Sequence, residues 1–249
     1  HAGLEKTTPS VTLSQSLIDN YKGEMLFLRA LAHHELLKHF ARPYFDNPTA
    51  TNGGVVIRIT PVTGGAAADE GAQLGRSTVQ DVYDQIIADL DDAESLLPET
   101  RSSVSLKISR ATKAAAVAIK TRIYLHMGDW TNVIEEGDKL AKELVAPFSP
   151  AAGYGSYSLT ASPMGPFTSA GSKNNTESIF SIENNDIDNP GVNGSLPSMY
   201  SVSKAPIVGR ALVCISPVLW NNTWFLSTDL RKSSSMVDDD AAGPGRAAK

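Results

Sequence analysis

Residues 109–144 read SRATKAAAVAIKTRIYLHMGDWTNVIEEGDKLAKEL, and this stretch decides the fold. A helical pattern covers about residues 110–127, with Ser109 as its predicted N-cap. Its many alanines let neighbouring helices approach closely, which predicts a central helix. Gly128 ends this helix and Asp129 caps the next one. The stretch therefore predicts a hairpin of two helices joined by a very short turn.

The second helix of this hairpin is predicted from an apolar stripe that continues until Pro147 ends it. The stripe consists of Trp130, Val133, Ile134, Gly137, Leu140, Ala141 and Leu144. The short turn favours antiparallel packing, with Trp130 at least partly buried between the two helices and a neighbour. Such a hairpin is typical of one tetratricopeptide unit, although no second copy recurs at a fixed period.

Two further helices are predicted upstream of the hairpin. The first covers about residues 17–40 and ends before Pro43. Its predicted buried stripe consists of Met25, Leu28, Leu31, Ala32 and Leu36. The second begins at Ser77, which is predicted to form a capping box with Gln80, and ends at Pro98.

The composition changes after residue 147. Gly, Pro, Ser, Thr and Asn become frequent, and only short apolar runs remain, which indicates loops with a few short strands or helical turns. The predicted fold class is mainly α. Residues 1–147 are predicted to form a tetratricopeptide-like helical scaffold, and residues 148–249 a loop-rich, few-stranded portion of the same domain, which the family resemblance given below implies to be the ligand-facing portion.

Charge and composition exclude several classes of protein. The net charge is −5 and the pI is about 5.5, and Lys and Arg form no cluster, so we expect no nucleic-acid partner. The single cysteine, Cys214, lies in an apolar run and is predicted to be a small buried hydrophobe. No apolar stretch is long enough to cross a bilayer. The chain opens without a secretory signal, which predicts either an intracellular protein or one whose start lies upstream.

The stretch His34-Glu35-Leu36-Leu37-Lys38-His39 is similar to the HExxH helix of zinc proteases. In that motif two histidines one turn apart bind one zinc ion. Here the histidines are five residues apart, which places them roughly 140° apart around a helix. They cannot share a metal ion, and we predict solvated or capping histidines.

The remaining polar clusters indicate no catalytic chemistry. The acidic pairs at 91–92 and 135–136 are predicted to be solvated helix faces. The polar stretch 184–189 is a weak candidate for calcium, with an ordinary polar loop as the favoured interpretation. No nucleophile elbow and no glycine-rich nucleotide motif is present. The sequence therefore predicts no enzyme, no cofactor and no metal, and a hydrolase is the least favoured hypothesis.

Aromatic residues in the loop-rich half are the candidate ligand contacts. Tyr200 and Trp224 are predicted to stack on a ligand, with Tyr154 and Asn193 as weaker candidates. An aromatic face can pack on the C–H face of a sugar ring or on an extended peptide, while short polar neighbours complete the hydrogen bonds. The alternative, that Trp220 and Trp224 belong to the core, stays open because apolar residues flank both.

Six groups of segments between residues 24 and 231 resemble, in the same order, segments typical of the SusD/RagB family. They are EMLFLRALA (24–32), RSTVQDVY with IIADL and LLP (76–98), SRATKAAA (109–116), RIYLHMGDW (122–130), NTESIF (175–180) and SP with DLR (216–231). None is specific alone, and their common order carries the resemblance.

The resemblance implies a tetratricopeptide-like scaffold with a loop-rich ligand face. It also implies a bacterial, lipid-anchored protein on the outer surface of the outer membrane, seated on a SusC-like TonB-dependent transporter. Family members are longer, so the lipidated N-terminus, the first helices and the C-terminal part are expected outside this chain. The implied function is capture of an oligosaccharide for that transporter. The alternatives are capture of an oligopeptide, or a tetratricopeptide scaffold that binds a partner's peptide without a role in uptake.

Overall fold

The protein is described by a computed structural model in which the described residues fall into two compact units. One unit comprises His1–Leu159 with Thr176–Ser181, and the other comprises Thr160–Asn175 with Ile182–Lys249. We call them the helical unit and the loop-rich unit. The described residues are 2–143, 145, 147–168, 175–183, 187, 191, 193–201, 203–204, 207–210, 213, 215–232, 237–238 and 247–248.

The helical unit is built on four helices, each of which packs on the next. Its helices are α1 (Ala2–Glu5), α2 (Gln15–Phe40), α3 (Gly65–Ala72), α4 (Val79–Leu96), α5 (Val104–Ser109), α6 (Lys113–Met127) and α7 (Trp130–Asp138). α2 packs on α4, α4 packs on α6, and α6 packs on α7. Fully buried side chains such as Phe27, Val82, Ile86 and Leu90 fill the space between them, and burial of one such side chain contributes about 1.5–3 kcal/mol. In the described part of the chain, no helix has the length and apolarity to span a membrane.

The described residues of the loop-rich unit form only short elements. They are a 3₁₀ turn (Gly165–Phe167), α8 (Leu196–Tyr200), β1 (Ser203–Lys204), β2 (Ile207–Val208), α9 (Pro217–Trp220), a second 3₁₀ turn (Leu230–Lys232), β3 (Val237–Asp238) and β4 (Ala247–Ala248). β1 pairs with β2 and β3 with β4, both antiparallel. The predicted class, mainly α with a loop-rich and few-stranded second half, is confirmed. Cys214 and most of the polar stretch 184–189 lie outside the described residues.

The buried face of α2 differs from the predicted one. Met25 and Leu28, which were predicted to be buried, are 43% and 56% exposed, whereas Leu26 and Phe27 are buried. α2 is apolar on two faces, and spacing along the sequence cannot tell which face the next helix covers. On the covered side, the guanidinium of Arg29 pairs with Asp89 of α4, and the carboxylate of Glu24 pairs with Arg101.

The capping box of α4 lies one residue later than predicted. The hydroxyl of Thr78 accepts the backbone N–H of Asp81 at 3.0 Å, and the carboxylate of Asp81 accepts the N–H of Thr78 at 3.2 Å. The predicted Ser77–Gln80 box is wrong because the N–H of Ser77 donates to the carbonyl of Val55 at 3.1 Å. The predicted end of this helix before residue 98 is confirmed.

The start of α6 also differs, whereas the turn that follows it is as predicted. The N-cap is Thr112, because Ser109 is the last residue of α5, a short helix that the sequence pattern does not predict. α6 is central as expected, with Ala114, Ala115 and Ala116 fully buried. Gly128 ends the helix in the left-handed region at φ 70°, and the Asp129 carboxylate caps α7.

α7 is shorter and more exposed than predicted. It ends at Asp138, well short of the proline that was expected to end it, because the chain reverses and the N–H of Ala151 donates to the carbonyl of Lys139 at 2.9 Å. Trp130 is 63% exposed and Ile134 is 62% exposed. The hairpin of α6 and α7 is present, but the prediction that Trp130 is buried in it is wrong.

A buried ion network joins α7 to the other helices. The Lys120 ammonium, in a side chain that is only 2% exposed, donates to Asp91 at 2.9 Å, to Glu136 at 3.0 Å and to Glu94. Lys139 donates to Glu94 at 3.1 Å and to Glu136 at 2.9 Å. Burial opposes the charged form of Lys120, but these hydrogen bonds raise its pKa. The prediction that Glu136 lies on a solvated face is wrong, since this network takes it out of water.

Two further buried carboxylates hold α2 in place. Arg29 donates from two nitrogens to Asp89 on α4 at 2.7 and 2.6 Å, and the Asp89 side chain is 2% exposed. Glu24 accepts from Arg101 at 2.7 Å and from Nε of Arg110 at 2.6 Å. A buried carboxylate is tolerated only when it is paired, so these contacts set which segments lie beside α2.

The histidines of α2 lie in different environments. His39 is 68% exposed, as predicted, but His34 is 1% exposed, which corrects the prediction that both are solvated or capping. The His34 ring lies 4.9 Å from the ring of His126 and 6.3 Å from that of Tyr83. Burial, together with the positive field of His126 and Lys38, lowers the pKa of His34 to about 4.

Replacement of Lys120 by Ala should destabilise the protein by about 3–5 kcal/mol, because it leaves buried carboxylates without their cation. Lys120→Met keeps the volume of the side chain and should cost nearly as much. The free energy of unfolding from urea titration measures both, with Lys142→Ala, at an exposed lysine, as the control. A loss below about 1 kcal/mol in Lys120→Ala would contradict the role of the network.

The buried His34 should make stability depend on pH. The unfolded chain, with a histidine pKa near 6.5, binds a proton before the folded chain does, so stability is full above about pH 6.5 and falls as the pH drops towards 4. The loss from this residue approaches about 3 kcal/mol. His34→Leu should flatten this slope between pH 6.5 and 4, and His39→Leu, at the exposed position, should keep it. An unchanged slope in His34→Leu would show that another group causes the dependence.

Candidate ligand-binding surface

Trp224 is the most exposed large aromatic of the predicted ligand residues. It is 67% exposed and lies beside Phe225, with 6.2 Å between the ring centroids. Phe225 is buried, and Trp220 packs edge-on against it at 6.1 Å. The alternative that Trp224 is a core residue is therefore wrong, whereas Trp220 is half-buried.

Cations support this aromatic cluster from one side. Lys232 lies over the rings of Phe225 at 4.6 Å and Trp220 at 5.1 Å, and its ammonium donates to the carbonyl of Trp220 at 2.6 Å. Arg231 lies 5.5 Å from the centre of the Phe225 ring and pairs with Asp229 through two hydrogen bonds. These contacts hold the cluster in place while leaving the Trp224 indole accessible.

Tyr200 and Asn193 belong to a second surface region of the loop-rich unit. Tyr200, at the end of α8, is 46% exposed, and Asn193 is exposed. The guanidinium of Arg210 donates to the Asn193 side-chain oxygen at 2.8 Å, and the Arg210 backbone N–H donates to the carbonyl of Ser198 at 2.7 Å. The structure thus places Asn193, Arg210 and the α8 segment together.

Tyr154 lies in the helical unit, unlike the other three predicted ligand residues. Its hydroxyl donates to Glu94 at 2.6 Å, and its ring lies 6.0 Å from the ammonium of Lys139. Burial and the hydrogen bond to Glu94 raise the pKa of Tyr154 to about 12. Although burial alone would raise the pKa of Glu94, its hydrogen bonds with Lys120, Tyr154 and Lys139 lower it. Tyr154 therefore belongs to the ion network, and its role in ligand binding stays a prediction.

A cavity of about 300 Å³ opens beside α2 in the helical unit. Apolar groups of Met25, Leu28 and Phe180 line most of it. Its two charged groups, Glu24 and Arg110, are paired with each other. A sugar needs several uncommitted hydrogen-bonding groups, so this cavity favours an apolar occupant.

Two features of the surface were not predicted from the sequence. Arg210 follows a stretch of small and apolar residues, and no local pattern relates it to Asn193, which lies 17 residues away. Lys232 follows Trp220 by 12 residues, so its contact with that ring also depends on the folded loop. Within the described ranges, no group of three or more His, Cys, Asp or Glu side chains could hold a metal ion.

Comparison with known proteins shows that this chain is similar to SusD-like proteins. The model of a SusD-like family, described as starch-binding and associating with the outer membrane, matches residues 4–125. A SusD superfamily protein from Bacteroides fragilis is 29% identical with a TM-score of 0.59, and the match covers 76% of this chain and 39% of that structure. One from Bacteroides vulgatus is 28% identical with a TM-score of 0.57, and the match covers 78% and 39%.

A third structure shares the fold. It is a SusD superfamily protein from Bacteroides thetaiotaomicron, 23% identical with a TM-score of 0.61, and the match covers 82% of this chain and 40% of that structure. This chain therefore spans 39–40% of the length of these three structures. No curated protein matches the chain.

Replacement of Tyr154 by Phe should destabilise the protein by about 1.5 kcal/mol, because the buried oxygen of Glu94 loses one hydrogen bond. The free energy of unfolding measures this loss. Tyr200→Phe, at a tyrosine that is 46% exposed, is the control for a general effect of removing a tyrosine hydroxyl. Stability equal to wild type in Tyr154→Phe would show that the bond to Glu94 contributes nothing.

Proposed function

We propose that this chain, whose residues 4–125 match a SusD-like family described as starch-binding and associating with the outer membrane, is the part of a cell-surface protein that captures an oligosaccharide. The captured ligand is delivered to a SusC-like TonB-dependent transporter in the same membrane. An N-terminal lipid outside this chain attaches the protein to the membrane. The ligand is bound and released without chemical change.

The exposed indole of Trp224 is the observation that carries this proposal. Its ring is 67% exposed, and its neighbours Phe225, Trp220 and Lys232 hold the cluster from which it projects. Trp224 projects from a group of three neighbouring aromatic rings, and a ligand that covers such a group gains free energy by removing apolar surface from water. The C–H face of a pyranose is a suitable cover, because it is flat and apolar while its hydroxyls point to the rim.

Tyr200 and Asn193 provide a second contact for the same ligand. A half-exposed phenol beside an exposed amide combines one stacking face with hydrogen-bonding groups for sugar hydroxyls. An oligosaccharide has several rings in a row, so it can engage more than one aromatic residue. Tyr154 remains a weaker candidate, since its ring can stack while its hydroxyl stays bound to Glu94.

Truncation of either main aromatic residue should weaken ligand binding. Trp224→Ala and Tyr200→Ala should each reduce affinity by about 5- to 150-fold, which corresponds to loss of about 1–3 kcal/mol of stacking and desolvation. The measurement uses the full-length protein on a glycan array and a peptide library, followed by calorimetry on the best ligand. Val218→Ala, at a side chain that is 79% exposed in the same unit, is the control and should bind normally.

The outcomes separate the competing functions. Unchanged affinity in both aromatic variants would place the ligand site elsewhere in the protein. Binding to the peptide library alone would favour an oligopeptide receptor. No binding to either library, together with no association with a SusC-like transporter on co-purification, would favour a tetratricopeptide scaffold without a role in uptake.

A further inference from the structure

The guanidinium of Arg210 has hydrogen-bonding capacity that the protein does not use. One nitrogen, Nη1, donates to Asn193 at 2.8 Å and lies 4.0 Å from the sulfur of Met199. Among the described residues, no carboxylate pairs with Arg210, and its Nε and Nη2 groups have no acceptor. The side chain is exposed, so these donors face solvent. A guanidinium with its charge unpaired and two adjacent donors free matches a carboxylate or sulfate geometrically.

Asn193 adds donors to the same place. Its side-chain oxygen is committed to Arg210, so the group that it offers to a ligand is the amide nitrogen with two N–H bonds. The backbone bond from Arg210 to Ser198 fixes this pair beside α8, the helix that ends in Tyr200. This surface therefore combines the aromatic ring of Tyr200 with the free N–H donors of Arg210 and Asn193. The side-chain oxygen of Asn193 is already bound to Arg210 and is not offered to a ligand.

The aromatic cluster of Trp220, Trp224 and Phe225 also has positively charged side chains beside it. Arg231 and Lys232 lie against its rings, and Asp229 is the one carboxylate paired with them in the described part of this unit. Among the described residues, two cations and one carboxylate therefore lie beside Phe225, the neighbour of the exposed indole. In the described part of the loop-rich unit, each proposed stacking residue thus has an exposed or ring-bound cation in its region, on a chain whose net charge is −5.

We infer that the ligand of this surface is an acidic oligosaccharide, with a carboxylate or sulfate that binds Arg210 and Asn193 while a sugar ring stacks on Tyr200. This inference rests on the proposed function and names the chemical class of its ligand. A neutral glucan presents hydroxyls, which both donate and accept, and would leave the Arg210 charge without a counterion. An anionic sugar supplies hydrogen-bond acceptors and negative charge together. Further anionic groups on the same oligosaccharide would be attracted by Arg231 and Lys232 in the Trp224 cluster.

A glycan array that pairs acidic sugars with matched neutral ones tests this inference on the full-length protein. The probes are oligogalacturonates, the same oligomers fully methyl-esterified, sulfated glucans and unsulfated glucans. The acidic members should bind best, and their binding should weaken as NaCl rises from about 50 to 500 mM, because salt screens exposed charges. The uronate and sulfate arms identify which anion the site prefers.

Variants then assign the preference to Arg210. Arg210→Gln should weaken binding of the best acidic glycan by about 10- to 100-fold and leave binding of its neutral partner unchanged. Arg210→Lys, which keeps the charge but not the two-donor geometry, should give a smaller loss. Arg122→Gln, at an exposed arginine of the helical unit, makes the same change in net charge and should have no effect.

The result that overturns the inference differs from the one that overturns the proposed function. Equal or stronger binding to the neutral glycans, or an Arg210→Gln protein that binds like Arg122→Gln, would show that the ligand is not selected by its charge. In that case glycan capture through Tyr200 and Trp224 would still stand. Absence of binding to every glycan on the array would refute both.

Discussion

The need to pair every buried charge determines how the helical unit is assembled. Lys120, Asp89 and Glu24 are all nearly inaccessible to water, and a buried charge without a partner would cost several kcal/mol. Each finds its partner on a different segment: Lys120 of α6 on α4 and α7, Asp89 of α4 on α2, and Glu24 of α2 on the residues around α5. Apolar packing makes the helices associate, and these ion pairs select which faces meet.

The same constraint explains several segments that resemble the SusD-like family. In EMLFLRALA, the charged residues Glu24 and Arg29 form ion pairs with residues outside their own helix. Arg110 of SRATKAAA is a partner of Glu24 and Thr112 caps α6. In NTESIF, Phe180 returns to the helical unit and packs edge-on against Phe27 of α2, at 5.0 Å between ring centroids. These motif residues therefore hold the scaffold together, and the ligand residues have to be sought elsewhere.

The main helices and several of their ends could be predicted because local chemistry marks those ends. Residues before prolines, Gly128 in the left-handed region and Asp129 as a cap act within one turn, so the sequence is sufficient to place them. The covered face of α2 and the exposure of Trp130 were predicted wrongly, because both depend on which distant segment packs nearby. His34 is a similar case, since its burial comes from α4 and α6 and not from its own helix.

For the candidate site, the sequence predicted the residue types but not their surroundings. Gly- and Ser-rich loops favour exposed aromatics, and the half-exposed Tyr200 and exposed Trp224 fit that expectation. The contacts of Arg210 with Asn193 and of Lys232 with Phe225 depend on folded loops, which no spacing rule describes.

Under the proposed function, the helical unit provides stability and the loop-rich unit provides ligand recognition. The buried charges of the helical unit cannot change singly without loss of folding energy, whereas an exposed side chain such as Trp224 or Arg210 can change with little effect on the core. Tyr154 is the exception, because its hydroxyl belongs to the ion network. If the proposed function holds, such a protein can adapt its surface to a different sugar while its scaffold stays the same.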